Sequence, residues 1–370
     1  MKSTSFIYLF LISFLVSSCF EKKSEEPIVL PNNLSIQVEY LGDGVVKANF
    51  TAEKAIFYKV SFGTPGESLQ RVNGNTATKT FTLKGDFTLQ VQAHTTEKDF
   101  ISDTKMIRMN AAALGLDPDT GYTSATSYDE YNLVWADEFS GPELSDDWKF
   151  ELGDGCPNIC GWGSNELQYY KKENTTLADG KLVITAKKES VGTSNYTSSR
   201  INTQGKQSFT FGRVDIRAKL PKGKGFWPSF WMLGNSVSEV EWPKTGAIHI
   251  MEMVGGSSGD GDATVFGTTY WDNADAIEFS REKTKLPFGI FNDEYHVFSI
   301  VWDAQKIVWL LDDVQYHVLD ITSPVRDEFQ KPFHFIINLG VGGREPGNPD
   351  DTSIFPQEMK VDYIRVFQKK

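Results

Sequence analysis

The sequence predicts an all-β protein with two domains in succession. Its 370 residues are enough for two domains, strand-length segments of alternating polarity recur along most of the chain, and no helix-period pattern lasts. Short β-type runs separated by Gly-rich turns occupy the first part, and a longer series of strands follows. We therefore expect a small β-sandwich followed by a larger one.

The first 18 residues have the features of a signal peptide. Lys2 is followed by an apolar run at 6–16 that is too short to span a bilayer, and small residues precede Cys19. Residues 16–19 (VSSC) resemble a bacterial lipobox, which implies cleavage before Cys19 and lipidation of its thiol. The alternative is an ordinary signal peptide with an incidental cysteine.

Residues 19–33 are polar and charged, and we expect them to form a disordered tether. Their acidic character resembles the export tags of Bacteroidetes surface lipoproteins. This resemblance implies an outer-membrane lipoprotein exposed at the cell surface, with a lipid anchor as its only membrane contact.

Residues 34–110 predict the small sandwich, with β-type runs at 35–40, 45–50, 57–62, 80–83 and 87–93. This segment resembles the PKD-type immunoglobulin-like modules, although Thr64-Pro65-Gly66 replaces the usual Asp-Gly turn. No chemistry is visible in it, so its expected role is that of a spacer. Residues 111–128 are expected to be a linker, and residues 129–370 the second domain.

Composition excludes several classes of function. The chain has 49 acidic and 37 basic residues, a net charge of -12, which argues against a nucleic-acid partner. Its five histidines lack metal-ligand spacing, so we expect no zinc site. No organic cofactor is predicted. Nine Trp and 26 Phe suit a protein that stacks aromatic rings on sugars, although core packing explains most of them equally well.

The central stretch of the second domain is residues 246–256 (GAIHIMEMVGG). Its alternation predicts a strand that presents Ala247 and His249 on one face. If Met251 is an extra bulge residue, Glu252 rejoins that face. The segment resembles the signature of family 16 glycoside hydrolases, the laminarinase-like β-glucanases, which is roughly Gly-Glu-Ile-Asp-Ile-Met-Glu.

Mapped onto this chain, the family's nucleophile position holds Ala247 and its supporting position holds His249. Only the acid/base remains, as Glu252. A retaining glycosidase needs two carboxyl groups about 5–5.5 Å apart, one to attack and one to protonate the leaving oxygen. The resemblance therefore implies impaired catalysis.

The same resemblance covers nearly the whole second domain. The motifs that carry it lie at residues 133–139 (LVWADEF), 161–170 (GWGSNELQYY), 211–221 (FGRVDIRAKLP), 227–233 (WPSFWML) and 355–366 (FPQEMKVDYIRV). It implies a β-jelly roll of two curved sheets, whose concave face forms a glycan-binding groove.

Several groove residues match the family. Trp227 and Trp231 lie on one side of a strand and could stack on sugar rings. By resemblance, Asn165 and Arg200 hydrogen-bond sugar hydroxyls, and Trp242 precedes the signature as expected. The alternative is that the tryptophans belong to the core and that Arg200 is a solvated charge.

Other positions depart from the family. Tyr270 stands where the family has a His, and is included among the glycan-binding candidates, while residues 342–347 (GGREPG) replace a Gly-Gly-Asn-Trp-Pro-Gly loop. The departures gather at the cleavage point and on the leaving-group side. Binding on the other side of that point is expected to persist.

Two further features have structural interpretations. Cys156 and Cys160 could form a disulfide that stiffens the loop before Asn165, or could remain two free thiols. Glu138, Gly180 and Asp362 match a calcium site of many relatives, so the resemblance implies a structural Ca²⁺.

We consider three functional hypotheses. The first is a surface lipoprotein that captures β-1,3-glucan (laminarin) or mixed-linkage β-glucan, for an outer-membrane glycan uptake complex. The second is an active endo-β-1,3-glucanase, in which His249 or an unidentified carboxylate replaces the nucleophile, or in which two carboxyl groups about 6.5–9.5 Å apart act by an inverting mechanism. The third, an active enzyme disabled in the laboratory, is disfavoured because Tyr270 and the 342–347 loop also depart from the family.

Overall fold

A computed structural model describes residues 29–117, 119–256 and 261–370. The predicted signal peptide and Cys19 lie outside these ranges, as does most of the tether. Within the described residues, no helix is long and apolar enough to cross a membrane. The helices there are short 3₁₀ turns, at Cys160–Gly163, Lys172–Asn174, Asn235–Ser238, Gly261–Ala263 and Pro324–Gln330.

The first domain is a sandwich of two antiparallel sheets, ordered β1-β2-β5 and β4-β3-β6-β7. Its described strands are β1 Asn32–Gly42, β2 Val45–Glu53, β3 Phe57–Ser61, β4 Gln70–Val72, β5 Thr76–Thr80, β6 Gly85–His94 and β7 Phe100–Met109. Alternation on β2 buries Val46, Ala48 and Phe50 in the core. The sandwich prediction is confirmed, but the run expected at 80–83 overlaps β5 only at Thr80, and β4 and β7 were not predicted.

The 111–128 segment is packed along the second domain over its described residues. Gly121 forms a bridge with Tyr295, and the backbone N–H of Ser124 donates to the hydroxyl of Tyr363 at 2.8 Å. Lys84 of the first domain also forms a 2.6 Å ion pair with Glu294 of the second. The first two contacts attach the linker to the second domain, and the ion pair joins the first domain to the second directly.

The second domain is a β-sandwich with two large sheets. Its described strands are β8 Tyr131–Asp137, β9 Lys149–Phe150, β10 Gln168–Tyr170, β11 Thr175–Ala178, β12 Lys181–Ala186, β13 Tyr196–Ser198, β14 Arg200–Asn202, β15 Gly212–Lys219, β16 Phe226–Gly234, β17 Ala247–Glu252, β18 Thr264–Asn273, β19 Ala276–Lys285, β20 His296–Trp302, β21 Lys306–Leu311, β22 Val314–Asp320, β23 Phe333–Val341 and β24 Gln357–Lys369.

One sheet follows the order β11-β12-β24-β15-β20-β21-β22, with β8 also paired to β24, and the other follows β19-β18-β17-β16-β23-β14-β9. The core lies between them, where the rings of Phe230 on β16 and Phe298 on β20 are 5.9 Å apart. The outer side of the second sheet, which carries Trp227, Trp231, His249 and Tyr270, is called the groove face below. The predicted jelly roll is confirmed.

Candidate functional site

The predicted bulge is present and determines where Glu252 points, but the extra residue opposite β16 is Ile250, because Met251 pairs with Phe230. On one side of β17, His249 pairs with Thr268 and Glu252 pairs with Phe266, so two β17 residues face the single Gly267. A side chain at Gly267 would lie 2.5 Å from the indole of Trp309, which donates a hydrogen bond to the carbonyl of His249. The bulge returns Glu252 to the groove face, where its Oε1 lies 3.3 Å from Nδ1 of His249.

Ala247 is fully buried on the groove-face side of the sheet, at the position that the resemblance assigns to the nucleophile. Its cross-strand partner is Tyr270, whose ring centroid lies 5.5 Å from that of His249 and 5.7 Å from that of Trp242. A methyl group cannot attack an anomeric carbon. The rings of Tyr270, His249 and Trp242 thus lie close together beside this position.

Glu252 is only 3% exposed, and the hydroxyl of Thr268 donates a hydrogen bond to its Oε2 at 2.9 Å. Burial raises the pKa of this carboxyl group, but attraction to His249 and Arg281, together with the donor Thr268, outweighs burial and holds the pKa below its ordinary value. A general acid in a glycosidase needs a raised pKa so that it stays protonated. Glu252 is therefore a buried anion at neutral pH.

The predicted sugar-binding residues Arg200 and Trp231 lie together. The indole of Trp231 stacks on His249 with ring centroids 5.1 Å apart, and its N–H donates to Oδ1 of Asn338 at 2.9 Å. The guanidinium of Arg200 lies over Trp231, 5.1 Å from the ring centroid, and also pairs with Glu151. These contacts fix the indole in a partly exposed position on the groove face.

Trp227 lies on the same face of β16 as Trp231, and both side chains are partly exposed. The indole N–H of Trp227 is buried without a hydrogen-bond partner among the described residues. Asn165 is exposed with φ 58°, in the loop that follows the Cys156–Cys160 disulfide. That loop touches the 342–347 loop, because the N–H of Arg344 donates to the carbonyl of Ser164 at 2.9 Å.

Tyr270 is the residue that stands where the family has a His. Burial, and then the negative charge of Glu252, raise the pKa of its phenol to about 12. The hydroxyl therefore stays protonated near neutral pH and can donate a hydrogen bond.

Sequence reasoning missed four residues that contribute to this site. Thr268 donates a hydrogen bond to Glu252, and Arg281 attracts the Glu252 carboxylate. Asn338 accepts a hydrogen bond from Trp231, and the ring of Phe279 lies 6.1 Å from that of Tyr270. Period-2 alternation along 276–285 could have placed Phe279 and Arg281 on one face. Their pairing with Tyr270 and Thr268 depends on strand register, which the sequence does not state.

The carboxylates of the predicted calcium site take part in ion pairs. The carboxylate of Glu138 receives two hydrogen bonds from Arg365, at 2.7 and 2.9 Å, and Asp362 pairs with Arg217 at 2.6 Å. Gly180 occupies a turn with φ 69°. Both carboxylates are therefore paired with guanidinium groups, and the structural Ca²⁺ stays a prediction. In the part of the chain that the structure describes, no group of three or more His, Cys, Asp or Glu side chains could hold a metal.

Comparison with known proteins places this domain among carbohydrate-active proteins. A family model described as glycosyl hydrolases family 16 matches residues 162–365, and one described as beta-glucan synthesis-associated protein SKN1/KRE6/Sbg1 matches residues 81–239. The chain is 36% identical over 253 residues to a beta-glucanase of Rhodothermus marinus, covering 64% of this chain and 85% of that protein.

Two further relatives show how much of each protein is shared. Clotting factor G alpha subunit of Tachypleus tridentatus is 35% identical over 241 residues, but the match spans only 34% of that protein and 65% of this chain. The laminarinase catalytic domain of Thermotoga maritima MSB8 superposes with a TM-score of 0.61 at 42% identity, covering 65% of this chain and all of that one.

Proposed function

The chain belongs to glycosyl hydrolases family 16, and from this premise we propose that it binds β-1,3-glucan or mixed-linkage β-glucan without cleaving it. The observation that carries the proposal is Ala247 at the nucleophile position, beside a Glu252 that is buried and ionised. The similarity to laminarinases and β-glucanases supports the choice of glucan.

The chemistry of hydrolysis is not supported by these side chains. A retaining mechanism needs one carboxylate as nucleophile and one carboxylic acid as proton donor. Ala247 supplies no nucleophile, and His249 lowers the pKa of the carboxyl group that should donate the proton. Nucleophilic attack and proton donation are therefore both impaired, and the residues responsible lie on the same strand, β17.

Glucan binding requires surfaces for stacking and hydrogen-bond donors, but no nucleophile or proton donor. The partly exposed indoles of Trp227 and Trp231 offer apolar surface to a sugar ring, at Trp231 beyond the part that His249 and Arg200 cover. Arg200 lies beside the second indole and offers hydrogen-bond donors to hydroxyl groups. A linear glucan can be held by these groups without a reactive centre.

An active endo-β-1,3-glucanase is the second candidate, because the relatives include named glucanases and because Glu252 is retained. It would need another base or nucleophile near the anomeric carbon. His249 is the nearest candidate, but its ring is held between Trp231 and Tyr270.

The test measures binding and product on one laminarin sample. We expect the full-length protein, purified in mild detergent, to give a heat of binding in calorimetry and no increase in reducing ends over long incubation. Absence of binding to any β-glucan would refute the proposal. Reducing ends that disappear in Glu252→Gln would establish the glucanase instead, whereas product that persists in this variant comes from a contaminating enzyme.

We also propose that the protein is an exported lipoprotein anchored through Cys19, with the first domain as a spacer that presents the groove face to a glycan uptake complex of the outer membrane. The lipobox-like sequence and the acidic tether support this. Fractionation tests it, because Cys19→Ala should move the protein from the membrane fraction to the soluble fraction. Unchanged membrane association would contradict the anchor.

A further inference from the structure

We propose that three aromatic rings beside the former cleavage centre, Trp242, Tyr270 and Phe279, form a second glucan-binding surface, here called the aromatic strip. On this proposal the strip binds the part of the glucan that continues past Ala247. The inference rests on the proposed glucan binding and extends it to the side of the site where the family motifs are lost.

The strip is built by strand register. Ala247 on β17 pairs with Tyr270 on β18, and Tyr270 pairs with Phe279 on β19. The ring of Tyr270 lies 5.7 Å from that of Trp242 and 6.1 Å from that of Phe279. One row of paired residues therefore carries adjoining rings to the edge of the sheet.

The outer rings of the strip are available to a ligand. Phe279 is 61% exposed and Trp242 is 46% exposed. Single exposed apolar side chains are common, but contiguous exposed aromatic rings on a soluble protein usually mark a binding surface. Tyr270 joins them as the half-buried centre of the row, with a protonated hydroxyl that can donate to a ligand.

Continuity identifies the occupant as a glycan chain. The ring of His249 lies edge-on to Tyr270 at 5.5 Å and is stacked on Trp231 at 5.1 Å, so neighbouring rings continue from Phe279 to the proposed sugar-binding indole. A linear polysaccharide presents apolar ring faces along its whole length and can follow such a path. The buried Ala247 and Glu252 do not interrupt it.

Pairing with another protein strand is disfavoured at this edge. Strand β19 carries Glu278, Arg281, Glu282, Lys283 and Lys285, and charged side chains on edge strands oppose addition of a further strand. The exposed rings are thus set in a polar, charged surrounding. That combination suits a hydrated polysaccharide better than an apolar protein surface.

With the aromatic strip, the binding site is longer than the part of the groove face that carries Trp227 and Trp231. A glucan that spans this centre would pass over His249 and Tyr270, without the ring distortion that cleavage requires. Affinity should therefore increase with chain length until the ligand reaches Phe279.

Calorimetry with two defined ligands tests this, using laminaritriose and laminarihexaose with the full-length protein in mild detergent. We expect the hexaose to bind more tightly than the triose. Phe279→Ala should weaken hexaose binding roughly three- to tenfold, the effect of one aromatic contact, and leave triose binding unchanged. Phe279→Leu, which keeps apolar bulk but loses the flat ring, should weaken hexaose binding similarly.

Phe100→Ala is the matched control, because it removes another exposed phenylalanine, 40% exposed, from the first domain. It should change neither affinity. Equal hexaose binding by wild type and Phe279→Ala would overturn the strip, as would an equal loss for both ligands. If wild type binds neither ligand, the proposed function itself fails, which is a separate result.

Discussion

The contact between His249 and Glu252 predicts a pH-dependent loss of stability when the imidazole is removed. His249→Ala leaves the 3% exposed Glu252 with Thr268 and Arg281 as its remaining favourable partners. Removing a partner of a buried polar group costs about 1–3 kcal/mol, and more when the group left behind is charged. Because Glu252 is ionised but the 3.3 Å separation is long for an aligned hydrogen bond, we expect a cost of about 2–3 kcal/mol at pH 7.

The sign of the pH dependence follows from the pKa of Glu252. In the wild type this pKa is lowered, so its contribution to the free energy of unfolding is present above the unfolded pKa and is lost as pH falls through the folded pKa. Without His249, burial dominates and the folded pKa rises above the unfolded value. The carboxylate then destabilises the fold as pH rises through that raised pKa. The variant's deficit, its loss in free energy of unfolding relative to the wild type, is therefore large at pH 7 and small near pH 4.

Urea unfolding at pH 7 and pH 4, followed by tryptophan fluorescence, measures this difference. Urea is preferable to guanidinium chloride because it does not screen charge. The control is the His249→Ala/Glu252→Gln double variant, in which no buried charge remains and the deficit should not depend on pH. An equal deficit at both pH values in His249→Ala would refute the reasoning and assign the loss to stacking on Trp231.

Three other predictions concern the groove face and its support. Adding Tyr270→His to Ala247→Glu/His249→Asp should give more reducing-end release from laminarin than the double variant, because Tyr270 covers the centre; no release despite retained binding would contradict this. Trp231→Ala should weaken laminarin binding by about 1–3 kcal/mol in calorimetry, with circular dichroism to confirm folding; unchanged affinity would place this ring outside the binding surface. Burial lowers the pKa of His334 from 6.5 to about 4, so protonation of the unfolded chain should remove up to about 3 kcal/mol of stability as pH falls from about 6.5 to 4. His334→Gln should reduce that pH dependence in urea titrations, and an identical slope would count against it.

Much of the architecture could be predicted from the sequence, because alternation and bulges are local patterns. The period-2 alternation of β2 and the bulge beside Glu252 follow from the order of residues along one strand. The Cys156–Cys160 bond was one of two alternatives that a separation of four residues left open. The resemblance placed Ala247, His249 and Glu252 in one segment.

Only the tertiary structure decided the electrostatic state of that segment. Thr268 and Arg281 reach Glu252 from other strands. Whether the pKa of Glu252 is raised by burial or lowered by its partners depends on how closely these groups approach the carboxylate in the folded protein. The expected calcium ligands illustrate the same limit, since Arg365 lies 227 residues after Glu138 in the chain but pairs with it across strands. Phe279 likewise joins the groove face only because β19 pairs with β18 in the observed register. Strand register and the charges facing each group are set by packing between distant segments, and local sequence patterns do not specify them.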